Sequence, residues 1–414
     1  MAHTQITMYG TPWCNDCKRT KKFFGEQRVH YEFVDIDADP AGLAVVERVN
    51  NGKHIIPTLV LGDGSTLVEP SNAELAAELG LQTQARNQFY DLIVVGGGPA
   101  GLTAALYAAR EGIETLVIER AGIGGQAGVT ERLDNFPGFP EGISGAEFAD
   151  RLGRQAERFG VEILSAQEVV AIASDGLYRC VRTSDGAEYR SWAVLLALGS
   201  TYRRLGVPGE DDFIGAGVHF CATCDGAFYR DKDVLVVGGG NSAGEEGIFL
   251  TKFARRVTIA TRDAQLSASK VVVEKVHAHS QIEVLTDVTP AEFRGDGALR
   301  TVLLRNTRTG ETTETHPAGV FVFIGLAPNT GFVRDAVATD DRGFIVTDGM
   351  LATSVPGVFA AGDCRAGSTK QAASAAGEGA AVALAIRHYL QPLQSGVPDH
   401  AAMMERAATA QPGS

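Results

Sequence analysis

Two glycine-rich segments restrict the fold of this chain more than any other feature of its sequence. The first, GGGPAG, begins at Gly96 after the apolar run DLIVV, and the second, GGGNSA, begins at Gly238 after DVLVV. Each is followed by a helical pattern and then by another apolar run, LVIE or VTIAT. Strand, glycine turn, helix and strand in this order form a Rossmann-like unit, so we predict an α/β fold that contains two such units.

Both units have the spacing of a dinucleotide site. Glu119 ends the first unit 23 residues after Gly96, and Thr261 ends the second unit 23 residues after Gly238. The glycines let the backbone approach a pyrophosphate, the helix N-terminus faces its charge, and Glu119 can bind ribose hydroxyls. The two units therefore predict two dinucleotide-binding domains.

The second unit differs from the first at the position that contacts the ribose. Thr261 replaces the acid, and Arg262 and Asp263 follow it. Without a carboxylate the site does not repel a 2′-phosphate, and the Arg262 guanidinium can bind that phosphate through two hydrogen bonds. These residues favour NADPH over NADH, although the charge of Asp263 acts against a phosphate.

The second unit is inserted into the first. The strand AVLLALG marks a crossover near residues 193–204, and VFAAGDC followed by an alanine-rich helix resumes the first unit near the C-terminus. A polar connector, LQTQARNQF, separates both units from an N-terminal segment. The predicted domains are residues 1–80, a linker at 81–90, the first dinucleotide-binding domain at 91–204 and 325–392, the second at 205–324, and a flexible tail at 393–414.

Four of the six cysteines form two CxxC pairs, Cys14/Cys17 and Cys221/Cys224. Zinc is one interpretation, but structural zinc sites usually take ligands that lie within a few tens of residues of one another. Structural disulfides are rare in the cytosol, so two reactive dithiols are the favoured interpretation. We therefore predict no metal site.

The N-terminal segment has the pattern of a small thiol domain. The strand ITMYG precedes Cys14, and a helical pattern follows with Phe23 and Phe24 on its buried side. A helix start at Cys14 favours a thiolate, and Cys17, one turn later, can resolve the mixed disulfide that Cys14 forms. A strand, a helix, two strands and a last helix follow, with a cis bond before Pro57 and a capping box at the last helix.

Charge and hydropathy exclude several function classes. The net charge is −13, which argues against nucleic-acid binding because phosphate neutralisation needs clustered Lys and Arg. No apolar run reaches the roughly 18 residues of a membrane span. The start MAHTQITMYG lacks the pattern of an export signal, so we expect a cytoplasmic protein with no nucleic-acid or membrane partner.

Four motifs of the N-terminal segment, TPWCNDCKR, DIDADP, IIPT and LGDGSTLVEPS, occur in the order found in glutaredoxins. The segment resembles that family, and within it the actinobacterial mycoredoxin type, over nearly all of residues 5–80. The resemblance implies that Cys14 attacks and that Cys17 resolves. It also implies that Trp13 and Pro57 contact the thiol substrate.

Residues 91–392 contain a second ordered set of motifs: GGGPAGLTAALYAAR, GIGGQ, NFPGF, CATCDG, GGGNSAGEEG, IGLAPNT and GVFAAGDCR with QAASAAGEGA. This set closely resembles the low-molecular-weight thioredoxin reductases. The resemblance implies FAD in the first domain, NADPH in the second, a redox dithiol Cys221/Cys224 with Asp225 as the nearby acid, and a homodimer whose NADPH domain rotates. One departure is the sequence Thr-Arg-Asp at 261–263, where most such reductases have His-Arg-Arg.

The resemblance also implies a set of cofactor contacts in each domain. The implied FAD contacts are Gly96, Gly98, Gly101, Glu119, Gln126, Asn135, Gly362, Asp363, Gln371 and Ala372. The implied NADPH contacts are Gly238, Gly240, Asn241, Ser242, Ala243 and Arg262. We predict that Cys180 is an ordinary core or surface residue, that Cys364 is a passive neighbour of the flavin motif, and that His219 is a packing residue.

The joined domains predict one direction of electron flow. NADPH reduces FAD, FAD reduces Cys221/Cys224, and that pair reduces Cys14/Cys17, which reduces thiol mixed disulfides or protein disulfides. Two alternatives remain open. The chain can be an electron donor to a peroxiredoxin, like the flavoprotein of alkyl hydroperoxide reductases, or its small domain can be a docking or redox-sensing module without a catalytic role.

Overall fold

A computed structural model describes residues 6–130, 132–133 and 135–394, with the backbone alone at 223, 224 and 394. The α-helices within these ranges are α1 (Asn15–Glu26), α2 (Pro40–Val49), α3 (Asn72–Glu78), α4 (Pro99–Arg110), α5 (Gly125–Val129), α6 (Gly145–Arg158), α7 (Ala222–Asp225), α8 (Asn241–Leu250), α9 (Lys270–Ala278) and α10 (Ala372–Gln394). None of these helices is both long enough and apolar enough to cross a membrane. The predicted tail lies outside the described residues from position 395 onward.

The strands among the described residues belong to five sheets. They are β1 (Ile6–Gly10), β2 (Glu32–Asp35), β3 (Thr58–Leu61), β4 (Thr66–Val68), β5 (Phe89–Val95), β6 (Thr115–Ile118), β7 (Glu162–Leu164), β8 (Val169–Asp175), β9 (Tyr178–Thr183), β10 (Glu188–Leu196), β11 (Ser200–Tyr202), β12 (Val218–His219), β13 (Asp233–Val237), β14 (Arg256–Ala260), β15 (Ile282–Leu285), β16 (Val288–Asp296), β17 (Ala298–Asn306), β18 (Thr312–Thr315), β19 (Gly319–Val322), β20 (Leu326–Pro328) and β21 (Val358–Ala360).

The chain divides into two compact units. The first contains the described part of residues 6–129, Ala146–Gly199 and the described residues from Thr330 onward. The second contains Thr130–Gly145 and Ser200–Asn329. The N-terminal thiol segment and the first glycine motif are therefore in one unit, and the second glycine motif is in the other.

The N-terminal segment folds around a four-stranded sheet of order β2-β1-β3-β4. Strand β1 is parallel to β2 and antiparallel to β3. Met8 from β1, Leu59 from β3 and the pair Phe23 and Phe24 from α1 form its core with Leu75 from α3. The predicted burial of the two phenylalanines is confirmed, because the 3.6-residue period of α1 places both against the sheet.

The helices of this segment begin at residues that satisfy free backbone N–H groups. Cys14 caps α1, Asp39 caps α2, and Ser71 forms a reciprocal capping box with Glu74 at the start of α3. The peptide bond before Pro57 is cis. The predicted capping box and cis bond are thus confirmed.

The first glycine motif lies on a seven-stranded sheet of order β7-β6-β5-β10-β9-β8, in which β21 also pairs with β10. Strands β5, β6, β7, β10 and β21 are parallel, and most of their apolar residues are buried. Helices α4 and α10 cross closely, because a Cβ at Gly379 would collide with the Ala100 carbonyl oxygen. The small residues of α10 therefore serve close packing against α4.

The second glycine motif lies on a parallel sheet of order β12-β19-β13-β14-β15. A three-stranded antiparallel sheet, β16-β17-β18, follows β15 along the chain. Val236, Ile259 and Phe321 are fully buried within the core of this unit. Each unit thus presents a glycine turn at the carboxyl end of a central parallel strand, which is the ligand-binding edge of an open α/β sheet.

Candidate active site

The sulfur of Cys14 lies at the N-terminus of α1. It accepts a hydrogen bond from the Cys17 N–H at 3.2 Å and is 3.8 Å from the Ile56 carbonyl oxygen. Both sulfurs are free thiols, and both side chains are buried. A Cβ at Gly10 would lie 2.5 Å from the Cys17 Sγ, so this glycine provides the space for the second sulfur. A thiolate at Cys14 is stabilised by the N–H group and by the positive end of the helix.

The two thiols differ in their surroundings. Burial, with a smaller contribution from the hydrogen bond to Cys14, raises the pKa of Cys17 to about 12. At neutral pH the Cys17 thiol therefore keeps its proton, and a protonated thiol is a poor nucleophile. This asymmetry favours Cys14 over Cys17 as the attacking sulfur.

Alkylation of the reduced chain tests this asymmetry. With a limiting amount of iodoacetamide between about pH 7 and 9, we expect label on Cys14 and little on Cys17, because the Cys17 thiolate fraction stays small well below its pKa. Peptide mass spectrometry locates the label. A Cys17→Ser variant keeps the fast labelling of Cys14. Equal labelling of both cysteines at pH 7 would contradict the assignment.

Two residues implied as substrate contacts flank Cys14. The Trp13 side chain is 66% exposed, and its Nε1 donates to the Asp37 carboxylate at 2.8 Å. Pro57 is buried next to β3, and its carbonyl oxygen accepts the Glu69 N–H at 2.8 Å. The indole therefore offers a fixed apolar surface to a molecule that approaches the sulfur.

The first glycine turn is shaped by contacts that exclude side chains. Gly96 has a φ of +107°, and a Cβ there would collide with the Ala197 carbonyl oxygen. A Cβ at Gly101 would collide with the Gly96 carbonyl oxygen. A Cβ built on Gly98, the N-cap of α4, would have its nearest neighbour 4.0 Å away, at the Gly125 Cα. The turn is thus compact on its inner side and open at the N-terminus of α4, which is where a pyrophosphate binds.

Glu119 supports this turn from the end of β6. Its two carboxylate oxygens accept the N–H groups of Gly97 at 2.6 Å and Ala121 at 2.8 Å. Burial raises the pKa of this carboxyl group, and the two backbone hydrogen bonds oppose the shift. The remaining lone pairs of the same oxygens can accept ribose hydroxyls.

Two further segments meet the first glycine turn. The Gly124 N–H donates to the Gly97 carbonyl oxygen at 2.7 Å. A Cβ at Gly362 would be 2.9 Å from the Ala100 Cβ, so the turn Gly362–Cys364 lies against the first turn of α4. The structure therefore brings together three motifs that are separated along the sequence.

The side chains that fix the Gly362 turn were not identified from the sequence. Glu378 accepts the Gly362 N–H at 2.7 Å and pairs with Arg365 at 2.6 Å. Lys370 donates to the Asp363 carbonyl oxygen at 2.7 Å. Burial raises the pKa of the Asp363 carboxyl group, and the charge of Lys370 opposes the shift.

The other residues implied as FAD contacts lie on different elements. Gln126 is in α5, Ala372 begins α10, and Gln371 directly precedes it. Asn135 lies in Thr130–Gly145, which belongs to the second unit. Ten residues were implied, and nine of them are in the first unit.

The second glycine turn repeats this arrangement in the other unit. Gly238 has a φ of +142°, and a Cβ there would collide with the Phe323 carbonyl oxygen. At Gly240, the N-cap of α8, a Cβ would meet no atom within 4 Å. Ala243 is fully buried beneath the turn, and Ser242 is exposed. The Asn241 side chain accepts the N–H of the residue that caps α9, at 2.6 Å.

Thr261 and Arg262 have different environments. Thr261 is buried, and its Oγ1 would collide with a Cβ at Gly239. The Thr261 side chain therefore packs directly against the backbone of the glycine turn. The Arg262 side chain is 80% exposed, and its Nε is 3.7 Å from the Asp263 carboxylate. The guanidinium is therefore available to a phosphate at the rim of the turn.

The second CxxC pair lies at the start of α7. Cys221 is disulfide-bonded. The side chain of Cys224, its predicted partner, lies outside what the structure describes. Asp225 ends α7, and its Oδ2 is 3.4 Å from the His219 Nδ1. The His219 Nε2 is 2.6 Å from the Tyr229 hydroxyl.

His219 is buried between the rings of Tyr229 and Phe321, as expected of a packing residue. Its contact with Asp225 was not predicted, because the two residues are six positions apart and on different elements. The two cysteines outside the CxxC pairs are fully or partly buried. Cys364 is fully buried, which raises its pKa to about 11, and burial raises the pKa of the half-buried Cys180 as well.

Both dinucleotide sites fit the cofactors that were predicted for them. Each has an uncapped helix N-terminus with open space at its N-cap glycine, and the first has a buried carboxylate beside the turn. The second has an exposed guanidinium at the corresponding rim. These features suit FAD in the first site and NADPH in the second.

Comparisons with known proteins agree with this assignment. Residues 90–379 match the pyridine nucleotide-disulphide oxidoreductase family, and residues 6–65 match the glutaredoxin family. A thioredoxin reductase of Treponema pallidum is 43% identical over 74% of this chain and 99% of its own length. A bifunctional thioredoxin reductase/thioredoxin of Mycobacterium leprae is 42% identical over 74% of this chain and 67% of its own length.

A solved structure leads to the same family. The thioredoxin reductase of Streptococcus pyogenes has a TM-score of 0.69 and 43% identity, and it covers 74% of this chain and 99% of its own. These similarities favour a disulfide reductase over an alkyl hydroperoxide reductase flavoprotein and over a module without catalytic function. The chain uses FAD and NADPH, the cofactors of thioredoxin reductases. It belongs to the pyridine nucleotide-disulphide oxidoreductase family, as a thioredoxin reductase-like flavoprotein disulfide reductase with a glutaredoxin-like domain ahead of it in the sequence.

Proposed function

We propose that this reductase delivers two electrons from NADPH through Cys221/Cys224 to Cys14/Cys17, and from there to a disulfide outside the chain. The observation that carries the proposal is the geometry of Cys14. Its sulfur caps α1 beside an exposed tryptophan, in the same chain as the reductase, while the Cys17 thiol is held protonated behind it. The glutaredoxin-like domain is thus built to accept electrons and to pass them on.

The sulfur steps balance in thiols and disulfides. FAD, when bound, supplies the conversion of a hydride from NADPH into two electrons for a disulfide. The reduced Cys221/Cys224 pair then exchanges with the Cys14–Cys17 disulfide, which becomes a dithiol while Cys221/Cys224 becomes a disulfide. Cys14 attacks a mixed disulfide and releases one thiol, and Cys17 attacks the Cys14 sulfur and releases the second thiol.

We propose the following roles for the other site residues. Trp13 and Pro57 contact the outside disulfide, and Asp225 supplies a proton to the leaving sulfur of the second pair. The residues that hold FAD are Gly96, Gly98, Gly101, Glu119, Gln126, Asn135, Gly362, Asp363, Gln371 and Ala372. The residues that hold NADPH are Gly238, Gly240, Asn241, Ser242, Ala243 and Arg262.

The substrate of this relay is a disulfide, either a mixed disulfide of a small thiol or a protein disulfide. We infer a cytoplasmic homodimer, because the resemblance to the low-molecular-weight thioredoxin reductases implies a dimer and because reactive dithiols persist in a reducing compartment. We also propose the domain limits predicted from the sequence, with the NADPH domain at 205–324 inserted into the FAD domain.

A turnover assay tests the proposed function. The purified chain, NADPH and a mixed disulfide of a small thiol with a model thiol are combined, and NADPH consumption is followed. We expect one NADPH oxidised for each disulfide reduced. Turnover seen only with an added peroxiredoxin and peroxide would sink this proposal in favour of a peroxidase system.

Coenzyme choice gives a separate prediction. An Arg262→Gln variant loses the charged hydrogen bonds to a 2′-phosphate, so we expect kcat/KM for NADPH to fall roughly 10- to 100-fold. The value for NADH changes little. Arg256→Gln is the matched control, since Arg256 is an exposed arginine of the same unit on β14. Equal losses with both coenzymes would contradict the role of Arg262.

A further inference from the structure

Arg28 occupies an unusual position at the end of α1. It follows the C-cap residue Gln27 and has a φ of +57°, a left-handed conformation in which helices usually place glycine. A non-glycine residue keeps this conformation where the surrounding structure determines it. Contacts of the Arg28 side chain are therefore expected to hold this backbone conformation.

The Arg28 guanidinium binds a loop of the FAD-binding domain, residues 120–125, through three backbone carbonyl groups. It donates to Gly122 at 2.9 Å, to Gly125 at 3.1 Å, and to Ile123. Two neighbours on the glutaredoxin-like domain reinforce this contact. The Gly122 N–H donates to the Glu26 carbonyl oxygen at 2.7 Å, and the Gln27 side chain donates to the Arg120 carbonyl oxygen at 3.0 Å.

Two glycines provide the space for the guanidinium. A Cβ at Gly122 would be 3.2 Å from the Arg28 Nε, and a Cβ at Gly128 would collide with its Nη1. The Arg28 Nε is buried and has no hydrogen-bond partner among the described residues. Burial lowers the pKa of Arg28, and the charge of Glu119 opposes this shift. The guanidinium remains a charged group inside a fitted cradle.

This loop is part of the FAD site. Its Gly124 N–H bonds the first glycine turn at Gly97, and its Gly125 is the nearest neighbour of the open position at Gly98. It begins directly after Glu119, which binds the same turn. Arg28 therefore lies one layer behind the residues assigned to FAD.

The linker that follows the glutaredoxin-like domain is also attached to the FAD-binding domain. The buried carboxylate of Glu162 accepts hydrogen bonds from the Gln82 side chain, the Arg86 N–H at 2.8 Å and the Tyr90 hydroxyl at 2.7 Å. The predicted linker is thus bonded to the FAD-binding domain along its length. The Arg28 contact and the linker contact together restrict the motion of the glutaredoxin-like domain relative to the FAD-binding domain. The glutaredoxin-like domain can therefore hold loop 120–125 in one conformation.

We propose that Arg28 is a positioning residue of the FAD site, through which the glutaredoxin-like domain holds loop 120–125 in the conformation that binds the cofactor. The proposal rests on the assignment of FAD to the first glycine turn. Because coupling between two events is reciprocal, bound FAD also strengthens the contact between the loop and the glutaredoxin-like domain.

The first test is the affinity of the full-length apoprotein for FAD, measured by quenching of flavin fluorescence. We expect Arg28→Gln to raise the dissociation constant about tenfold or more, within the roughly 5- to 150-fold range of such couplings. Arg28→Lys keeps the charge but not the planar group with several donors, so it behaves like Arg28→Gln. Arg48→Gln, an exposed arginine on α2 of the same domain, binds FAD like the parent chain.

Several results would overturn the proposal. An Arg28→Gln or Arg28→Lys variant with the parent affinity removes it, as does an equal loss in Arg48→Gln. Glu119→Ala separates this proposal from the site assignment. If Glu119→Ala binds FAD like the parent, the assignment of the first turn fails. If only Glu119→Ala weakens binding, the turn stands and the role of Arg28 fails.

Hydrogen exchange gives a readout that does not depend on the cofactor. In the apoprotein, the Gly122 amide is protected by the Glu26 carbonyl group. We expect Arg28→Gln to speed exchange in loop 120–125, while β5 and β10 keep their protection, which shows that the variant is folded. Unchanged exchange in that loop would contradict the proposed anchoring.

Discussion

A Cys14→Ser variant loses NADPH-dependent reduction of small-thiol mixed disulfides, by a factor on the order of 10³ or more. A serine hydroxyl does not attack a disulfide sulfur, and the Cys17 thiol cannot substitute because burial holds its pKa near 12. The Cys221/Cys224 pair is untouched, so the variant still reduces a small aromatic disulfide that reacts with that pair directly. NADPH consumption with each acceptor measures both activities.

Cys180→Ser is the matched control for this variant. Cys180 is a free, half-buried cysteine on β9, and its replacement leaves both activities unchanged. A Cys14→Ser chain that reduced mixed disulfides at the parent rate would place the glutaredoxin-like domain outside the electron path. A Cys14→Ser chain that lost the aromatic disulfide activity as well would indicate general damage.

Cys221→Ser removes every disulfide reductase activity of the chain. Electrons cannot pass from FAD to a disulfide without the Cys221/Cys224 dithiol. We therefore expect the rates with the mixed disulfide and with the aromatic disulfide both to fall, again by a factor on the order of 10³ or more. NADPH added without an acceptor still abolishes the visible absorbance of the bound flavin, because the coenzyme and flavin sites are built from other residues. Stopped-flow absorbance separates this half-reaction from turnover.

The two cysteine variants make a paired comparison. Cys14→Ser loses mixed-disulfide reduction but keeps reduction of the aromatic disulfide, whereas Cys221→Ser loses both activities. This difference defines the order of the two dithiols. If Cys221→Ser retained mixed-disulfide reduction, electrons would reach Cys14 by a route that bypasses the second pair. That result would contradict the proposed relay even if Cys14→Ser behaved as expected.

Local features of this chain are readable from its sequence because they involve neighbouring residues. The Ser71 and Glu74 capping box spans four positions, and Cys14 caps a helix whose period places Phe23 and Phe24 in the core. The two glycine turns are equally local, since a strand, a turn and a helix follow each other directly. Such patterns predict the fold class and the position of each dinucleotide site.

The supporting contacts were not predictable in the same way. Glu378 binds the Gly362 turn and Glu162 binds the linker, yet neither residue belongs to a motif or a periodic pattern that singles it out. His219 meets Asp225 only because β12 and α7 bring them together. Partners of this kind are chosen by the packing of distant segments, so a single sequence does not reveal them.

The length of α1 has a practical consequence. Its 12 residues span about 18 Å, with the reactive sulfur at one end and the cofactor-loop contact at the other. A protein engineer can therefore redesign the surface around Trp13 for a new small thiol without rebuilding flavin affinity. Conversely, grafting this helix onto a different oxidoreductase requires transplanting its far end together with a matching glycine cradle.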